Sequence, residues 1–263
     1  MKIMLKLFAI MLMMSSCTNS DTTSNLLGSD YRVFKNTPVW ELAKSVEIED
    51  TVSIKDFLKS HKQFVDYREP TFGQTLLSVA VYNRSYASVN TLLKFGADPN
   101  KQSVKSKQSA LMVAASLGPK GQFVDARFLK LLLKYGGNPN DMQDGDSMQK
   151  GRKNYMTPLE FACLSSNLEY VRILVDAGAN INLVSKTGFS PLFASVVSKS
   201  PDIVLYLLKH GADYKRPMLT NIQGEKKYIL DVIDMWNFDK DSEEFKKENM
   251  IKDFLKVRCM NVK

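Results

Sequence analysis

Tyr155-Met-Thr-Pro-Leu-Glu-Phe-Ala-Cys-Leu-Ser-Ser-Asn-Leu-Glu-Tyr-Val-Arg-Ile-Leu-Val-Asp-Ala-Gly-Ala-Asn-Ile-Asn182 is the stretch from which the fold is read. Thr157-Pro158 suits a tight turn entering a helix, because proline supplies the φ of the first helical turn and loses no needed N–H. Leu159, Phe161, Ala162 and Cys163 then form one apolar face. Ser165-Ser166-Asn167 breaks that helix. Leu168, Val171, Leu174 and Val175 recur at the spacing of a second helix. Gly178 stops it, since glycine accepts the left-handed conformation at a helix end. The unit is a helix–turn–helix.

The unit recurs. Second helices end in Phe57-Leu58-Lys59, Leu92-Leu93-Lys94, Leu132-Leu133-Lys134, Leu174-Val175-Asp176, Leu207-Leu208-Lys209 and Phe254-Leu255-Lys256. Four continue into a glycine signature, at Gly96-Ala97-Asp98, Gly136-Gly137-Asn138, Gly178-Ala179-Asn180 and Gly211-Ala212-Asp213. First helices start at Thr75, Ser109, Thr157, Ser190 and Tyr228. The repeated pattern, with its Thr-Pro-Leu start, resembles the ankyrin repeat. The resemblance implies an all-α solenoid of about six helix–turn–helix repeats with β-hairpin or loop fingers, spanning residues 37–258. The first unit (Val39, Trp40, Leu42 and Ala43, then Ile54, Phe57 and Leu58) has His61 in place of the glycine. The last is rich in charge, as a terminal capping repeat must be. Its apolar set is Leu230, Ile233, Trp236, Phe245, Met250, Ile251, Phe254 and Leu255. Leu93, Leu111, Leu133, Leu159, Leu192 and Leu208 are expected in the core.

The chain has 263 residues, a net charge of +8 and 44% apolar residues, too apolar for disorder. Lys2 and Lys6 precede the apolar run Leu7–Met14, a pattern that reads as a secretory signal peptide over 1–16. That run is far shorter than the ~20 residues of a membrane-spanning helix. Met14-Ser15-Ser16-Cys17 resembles a bacterial lipobox, with Met14 in place of the usual leucine. The resemblance implies that Cys17 carries diacylglycerol and an amide-linked acyl chain and becomes the mature N-terminus. The alternative is an ordinary signal peptide with a chance cysteine. Residues 17–36 are expected to be the lipidated N-terminus and a flexible tether, because Thr18–Ser29 is rich in Ser, Thr, Asn and Asp. Residues 259–263 are expected to be a tail. Cys163 and Cys259 lie two repeats apart, too far for a disulfide.

Motifs for chemistry are sparse. His61 and His210 end different helices and do not have the i, i+4 spacing of a zinc pair. Asp141, Asp144 and Asp146 around Gly145 fit no register of the calcium loop, and read as turn formers. The expectation is a non-enzyme without cofactor or metal.

Insertions in repeat arrays map to loops on one face, often the binding face. Here they fall at Gly118–Gln122, between Asn140 and Thr157, and at Arg216–Lys227. The tips Lys101–Gln108, Asp141–Met156, Leu183–Gly188 and Lys215–Lys227 carry formal charges of +3, 0, +1 and +3. Without Lys2 and Lys6 the whole chain carries +6, so the excess lies on one edge. Such an edge steers an acidic partner, although loops are also lysine-rich simply because they are wet. The residues expected to bind a partner are Lys105, Lys107, Met148, Arg152, Tyr155, Lys186, Arg216 and Met218; Tyr155, Arg152 and Arg216 lead, because hot spots favour aromatic and arginine side chains, and each of these three is equally open to a local packing role. Two functions follow. One is a protein-binding module anchored in the bacterial cell envelope, in a narrower form an immunity or inhibitor protein. The other is a structural envelope spacer or assembly factor contacting anionic lipid or glycan. A monomer is expected, with no nucleic-acid partner.

Overall fold

The computed structural model describes residues 26–117, 125–143, 145–146, 153–185, 188–220 and 224–260. Twelve α-helices run through them as six successive pairs: α1 (Trp40–Glu47) with α2 (Thr51–Ser60), α3 (Leu76–Tyr82) with α4 (Tyr86–Lys94), and α5 (Ala110–Ser116) with α6 (Ala126–Lys134). Then come α7 (Pro158–Leu164) with α8 (Leu168–Asp176), α9 (Pro191–Val197) with α10 (Pro201–Lys209), and α11 (Ile229–Ile233) with α12 (Glu243–Met260). The first helices pack in one row, α1 to α11, and the second helices in another, α2 to α12. Two short antiparallel hairpins project between pairs. In one, β1 (Gly145–Asp146) pairs with β2 (Lys153–Asn154); in the other, β3 (Leu219–Thr220) pairs with β4 (Lys226–Lys227).

The helices begin where a side chain satisfies a free N–H. Thr75, Ser109, Thr157 and Ser190 accept from the third residue onward, and Thr157 shares a reciprocal capping box with Glu160. Gly178 at φ 89° closes α8, and Ala179 N–H reaches back to Leu174 O at 2.9 Å. His61 in the first unit stays at φ −134°, and a 3-10 turn, Lys62–Phe64, makes the exit instead.

Burial follows the repeat. Leu111, Leu159, Leu192, Leu93 and Leu208 are buried, as the pattern requires. Leu133 is only partly buried, because the α6 face turned inward carries Phe128, Leu129, Leu131 and Leu132. In the last unit Met250 is exposed, and Ile229, Val232, Ile233, Trp236, Ile251 and Leu255 fill the core. Cys163 is a buried free thiol. Residues 30–34, within the expected tether, are packed. Asp30 caps a 3-10 turn, Tyr31–Phe34, and Tyr31, Val33 and Phe34 are buried against the first unit. The reason is composition: Leu26, Tyr31, Val33 and Phe34 supply apolar side chains that pack against the core. At the other end α12 continues through Met260, past the expected start of the tail.

A row of asparagines links the units. Asn100 Nδ2 donates to Gly136 O (2.9 Å) while its Oδ1 accepts from Asn138 N–H (2.7 Å). Asn140 makes the same pair with Gly178 O (3.0 Å) and Asn180 N–H (2.7 Å). Asn182 repeats it with Gly211 O (3.0 Å) and Asp213 N–H (2.8 Å). Each side chain thus satisfies two backbone groups of the next unit. Asp66 stands in the corresponding place for the first junction; it accepts from Asp98 N–H at 2.9 Å but has no N–H to donate. Burial pushes its carboxyl above the usual aspartate range. Replacing Asn140 by Ala is expected to destabilise the chain by about 1–3 kcal/mol, whereas Asp66→Asn should add about 0.5–1.5 kcal/mol by supplying the missing donor. Urea unfolding of both variants checks this, and equal midpoints would refute the clamp.

Candidate interaction surface

The fingers are braced from within. Glu69, almost fully buried, accepts the N–H groups of Thr71 (2.5 Å), Phe72 (2.8 Å) and Gln74 (2.9 Å), and so shapes the loop before α3. The next finger docks on it through Lys105 N–H to Phe72 O, 3.0 Å. Gln102 Nε2 donates to Asp141 Oδ1 (3.1 Å) and Met142 O (2.9 Å), and Gln143 Nε2 donates to Ser106 O (2.5 Å). Glu69, Gln102 and Gln143 belong to no motif in the sequence. Their role comes from contacts between loops, for which a single chain's spacing carries no signal.

The expected binding residues fall into three groups. Lys105 and Lys107 lie on one finger; Lys105 Nζ sits 4.8 Å from the centre of the Phe72 ring, and Lys107 holds a left-handed φ of 54°. Arg216 is on the last finger but is ion-paired, its Nε 2.8 Å from Asp213 Oδ2. Met218 is turned partly into the core, and Tyr155 is half-buried. Met148, Arg152, Lys186 and Cys17 lie outside the described residues, as does the Gly118–Gln122 insertion. The structure therefore brings Lys105 with Lys107, and Arg216 with Lys215, Lys226 and Lys227, to opposite parts of one edge.

Among the described residues no group of three or more His, Cys, Asp or Glu side chains is placed to hold a metal ion. No described helix is long and apolar enough to cross a membrane. His61 and His210 end different helices, each with Nδ1 near a carbonyl of its own helix (3.2 and 2.8 Å). The groups with the largest shifts in proton affinity are interior ones. Burial pushes Tyr170 up to about 12 and Cys163 well above the ordinary thiol range. Glu160 is pushed up to about 7 by burial. Its Oε2 accepts from Thr157 N–H at 2.6 Å while Oε1 has no partner.

Six helix pairs in two rows, joined by side-chain clamps and projecting fingers from one edge, define a helical repeat solenoid. Models of the ankyrin repeat match residues 72–104 as one repeat and residues 111–218 as three, together just over half of the chain. This chain belongs to the ankyrin-repeat family. It is similar to a fowlpox virus protein described as an ankyrin repeat protein, 32% identical over 44% of this chain and 22% of that one. A Borreliella burgdorferi ankyrin repeat protein is 25% identical over 40% of this chain and 53% of its own length. The human 2-5A-dependent ribonuclease is 33% identical over 36% of this chain and 13% of its own. The matched segments thus span from about an eighth to about half of these relatives, and the similarity is one of repeats.

Glu160 has a pH signature. Its folded-state value of about 7 lies above its ordinary 4.5, so the native state holds the proton more tightly. Its contribution to stability is complete below pH 4.5 and is lost as pH rises through 7, by about 3 kcal/mol in total. Glu160→Gln is expected to remove this slope and to raise the midpoint of urea unfolding at pH 8. A wild-type curve that is flat between pH 5 and 8 would contradict it.

Proposed function

We propose that this chain is a non-catalytic protein-binding module, held at a bacterial cell envelope by lipid on Cys17, that captures an acidic partner along its finger edge. The charge of that edge carries the reading. Lys101, Lys105 and Lys107 lie on one finger and Lys215, Lys226 and Lys227 on the last. The finger that carries Lys101, Lys105 and Lys107 is held by polar braces from the next loop and so presents its cations on a fixed frame. The membership of the ankyrin-repeat family supports a protein as the partner. The interior placement of Glu160, Cys163 and Tyr170 supports the non-catalytic part, because none of them offers a reactive group to a bound substrate. Leu7–Met14 and the Ser15-Ser16-Cys17 sequence support the anchor. The narrower form is an inhibitor or immunity protein that neutralises an incoming toxin, and a toxin-like gene beside this one would favour it.

Two measurements test the reading. Labelling cells with radioactive palmitate should mark the wild-type chain and leave Cys17→Ser unmarked; an unlabelled wild type would rule out the anchor. Capture from envelope extracts should fall about tenfold when Lys101, Lys105 and Lys107 are changed to Glu, and should weaken with added salt. Capture that is indifferent to those three substitutions and to the matching reversal of Lys215, Lys226 and Lys227 would remove the finger edge from consideration.

A further inference from the structure

Residues Leu27–Ser29 lie across the inner face of the second unit, at the edge of a cavity of about 280 Å³ between α3, α5 and the finger that carries Lys105 and Lys107. Val79, Tyr82 and Val113 give the cavity apolar walls. Gln74, Ser78, Ser106 and Gln108 add uncharged donors and acceptors, the groups that pair with peptide N–H and C=O. Tyr82 is 54% exposed, so the cavity has an open aromatic lip. Its volume is at the lower limit for a small-molecule site and suits one or two side chains.

The chain itself shows what this face accepts. Ser29 O takes a hydrogen bond from Asn83 Nδ2 at 2.7 Å, and Tyr31 Oη lies 3.3 Å from Ser85 Oγ. Leu27 nevertheless points outward, 74% exposed, and a second open space of about 740 Å³ lies on the other side of the segment. The backbone turn at Gly28–Ser29 is thus held through one carbonyl by a side-chain amide, and the segment after it is pinned by a tyrosine hydroxyl, with room beside it. Lys105 and Lys107 flank the cavity residue Ser106 in the chain, and the Lys105 ammonium stands 4.8 Å from the centre of the Phe72 ring, which lies beside Gly28 at the cavity edge.

We propose that this cavity receives an extended segment of the partner protein, laid beside Leu27–Ser29, with an aliphatic side chain in the cavity and a carboxylate one or two residues away against Lys105 and Lys107. This rests on the finger-edge reading above and gives it a location and a partner chemistry. The apolar walls take the aliphatic side chain, the glutamines and serines take the peptide groups, and the two lysines choose acidic flanks.

The test is a random dodecapeptide library displayed on phage and selected on the full-length chain. Enriched peptides should carry Asp or Glu within two residues of Leu, Ile, Val or Met. A synthetic enriched peptide should lose about tenfold in affinity on Tyr82→Ala with Gln108→Ala, and a comparable factor on Lys105→Glu with Lys107→Glu. Both variants should keep the wild-type circular dichroism, and the charge-reversed pair leaves the cavity walls in place should the other variant unfold. Enrichment without that acidic-aliphatic pairing would overturn the proposal. So would peptides that lose affinity on Lys226→Glu with Lys227→Glu but not on Tyr82→Ala, an outcome that leaves the finger edge standing. Concentration-dependent dimerisation abolished by Tyr82→Ala would assign the cavity to a second copy of this chain and equally overturn it.

Discussion

The two-point clamp between successive units is the contact on which the array depends. A helix pair of this size cannot bury its own apolar faces and is stable only against a neighbour. Stacking leaves the backbone at each exit turn facing the next unit, where unpaired N–H and C=O groups are costly. Asn100, Asn140 and Asn182 satisfy both kinds at once with a single planar amide. An aspartate accepts but cannot donate, and a lysine donates but cannot accept. Asp66 stands at the first junction, and Lys215 follows Asp213 where an asparagine would carry the series onward. The row is complete in the middle of the array and incomplete at its ends, where the stack meets its atypical first and last units.

A second polar layer lies above this one, in the fingers. Their braces run from one loop to the next, through Gln102, Gln143 and the Lys105–Phe72 backbone bond. Positions on such loops lose less conformational freedom on binding than free loops would. The charge they carry is not uniform in effect. Arg216 spends its charge on Asp213, while the ammonium of Lys105 rests over an aromatic face. Exposed pairs contribute little to stability, so these contacts matter more for where the cations stand than for holding the fold together.

Two features break the repeat rule, and each alters the surface or interior that the rule implies. Glu160 occupies a fully buried place where other units have Ser78, Met112 and Phe193. Its capping bond to Thr157 explains one oxygen; nothing in the structure explains the other. At the N-terminal end, residues 26–34 lie against the first two units, so part of the inner face is already covered by the chain itself.

By itself the sequence determined the fold class, the six helix pairs and nearly every core leucine. Those features follow from local rules: helix periodicity, the Thr-Pro entry and the glycine exit, repeated often enough to exclude chance. It also located the fingers and their positive charge, since insertions and lysines can be counted along the chain. Tertiary structure alone decided that Leu133 faces partly outward, that Met218 turns inward and that residues 26–34 are packed. It alone revealed the asparagine clamps and the cavity beside Tyr82. The physical reason is distance along the chain. The partners in these contacts are 29 to 54 residues apart for the clamps and the N-terminal segment, and local periodicity carries no information about which of two neighbouring surfaces a polar side chain will meet.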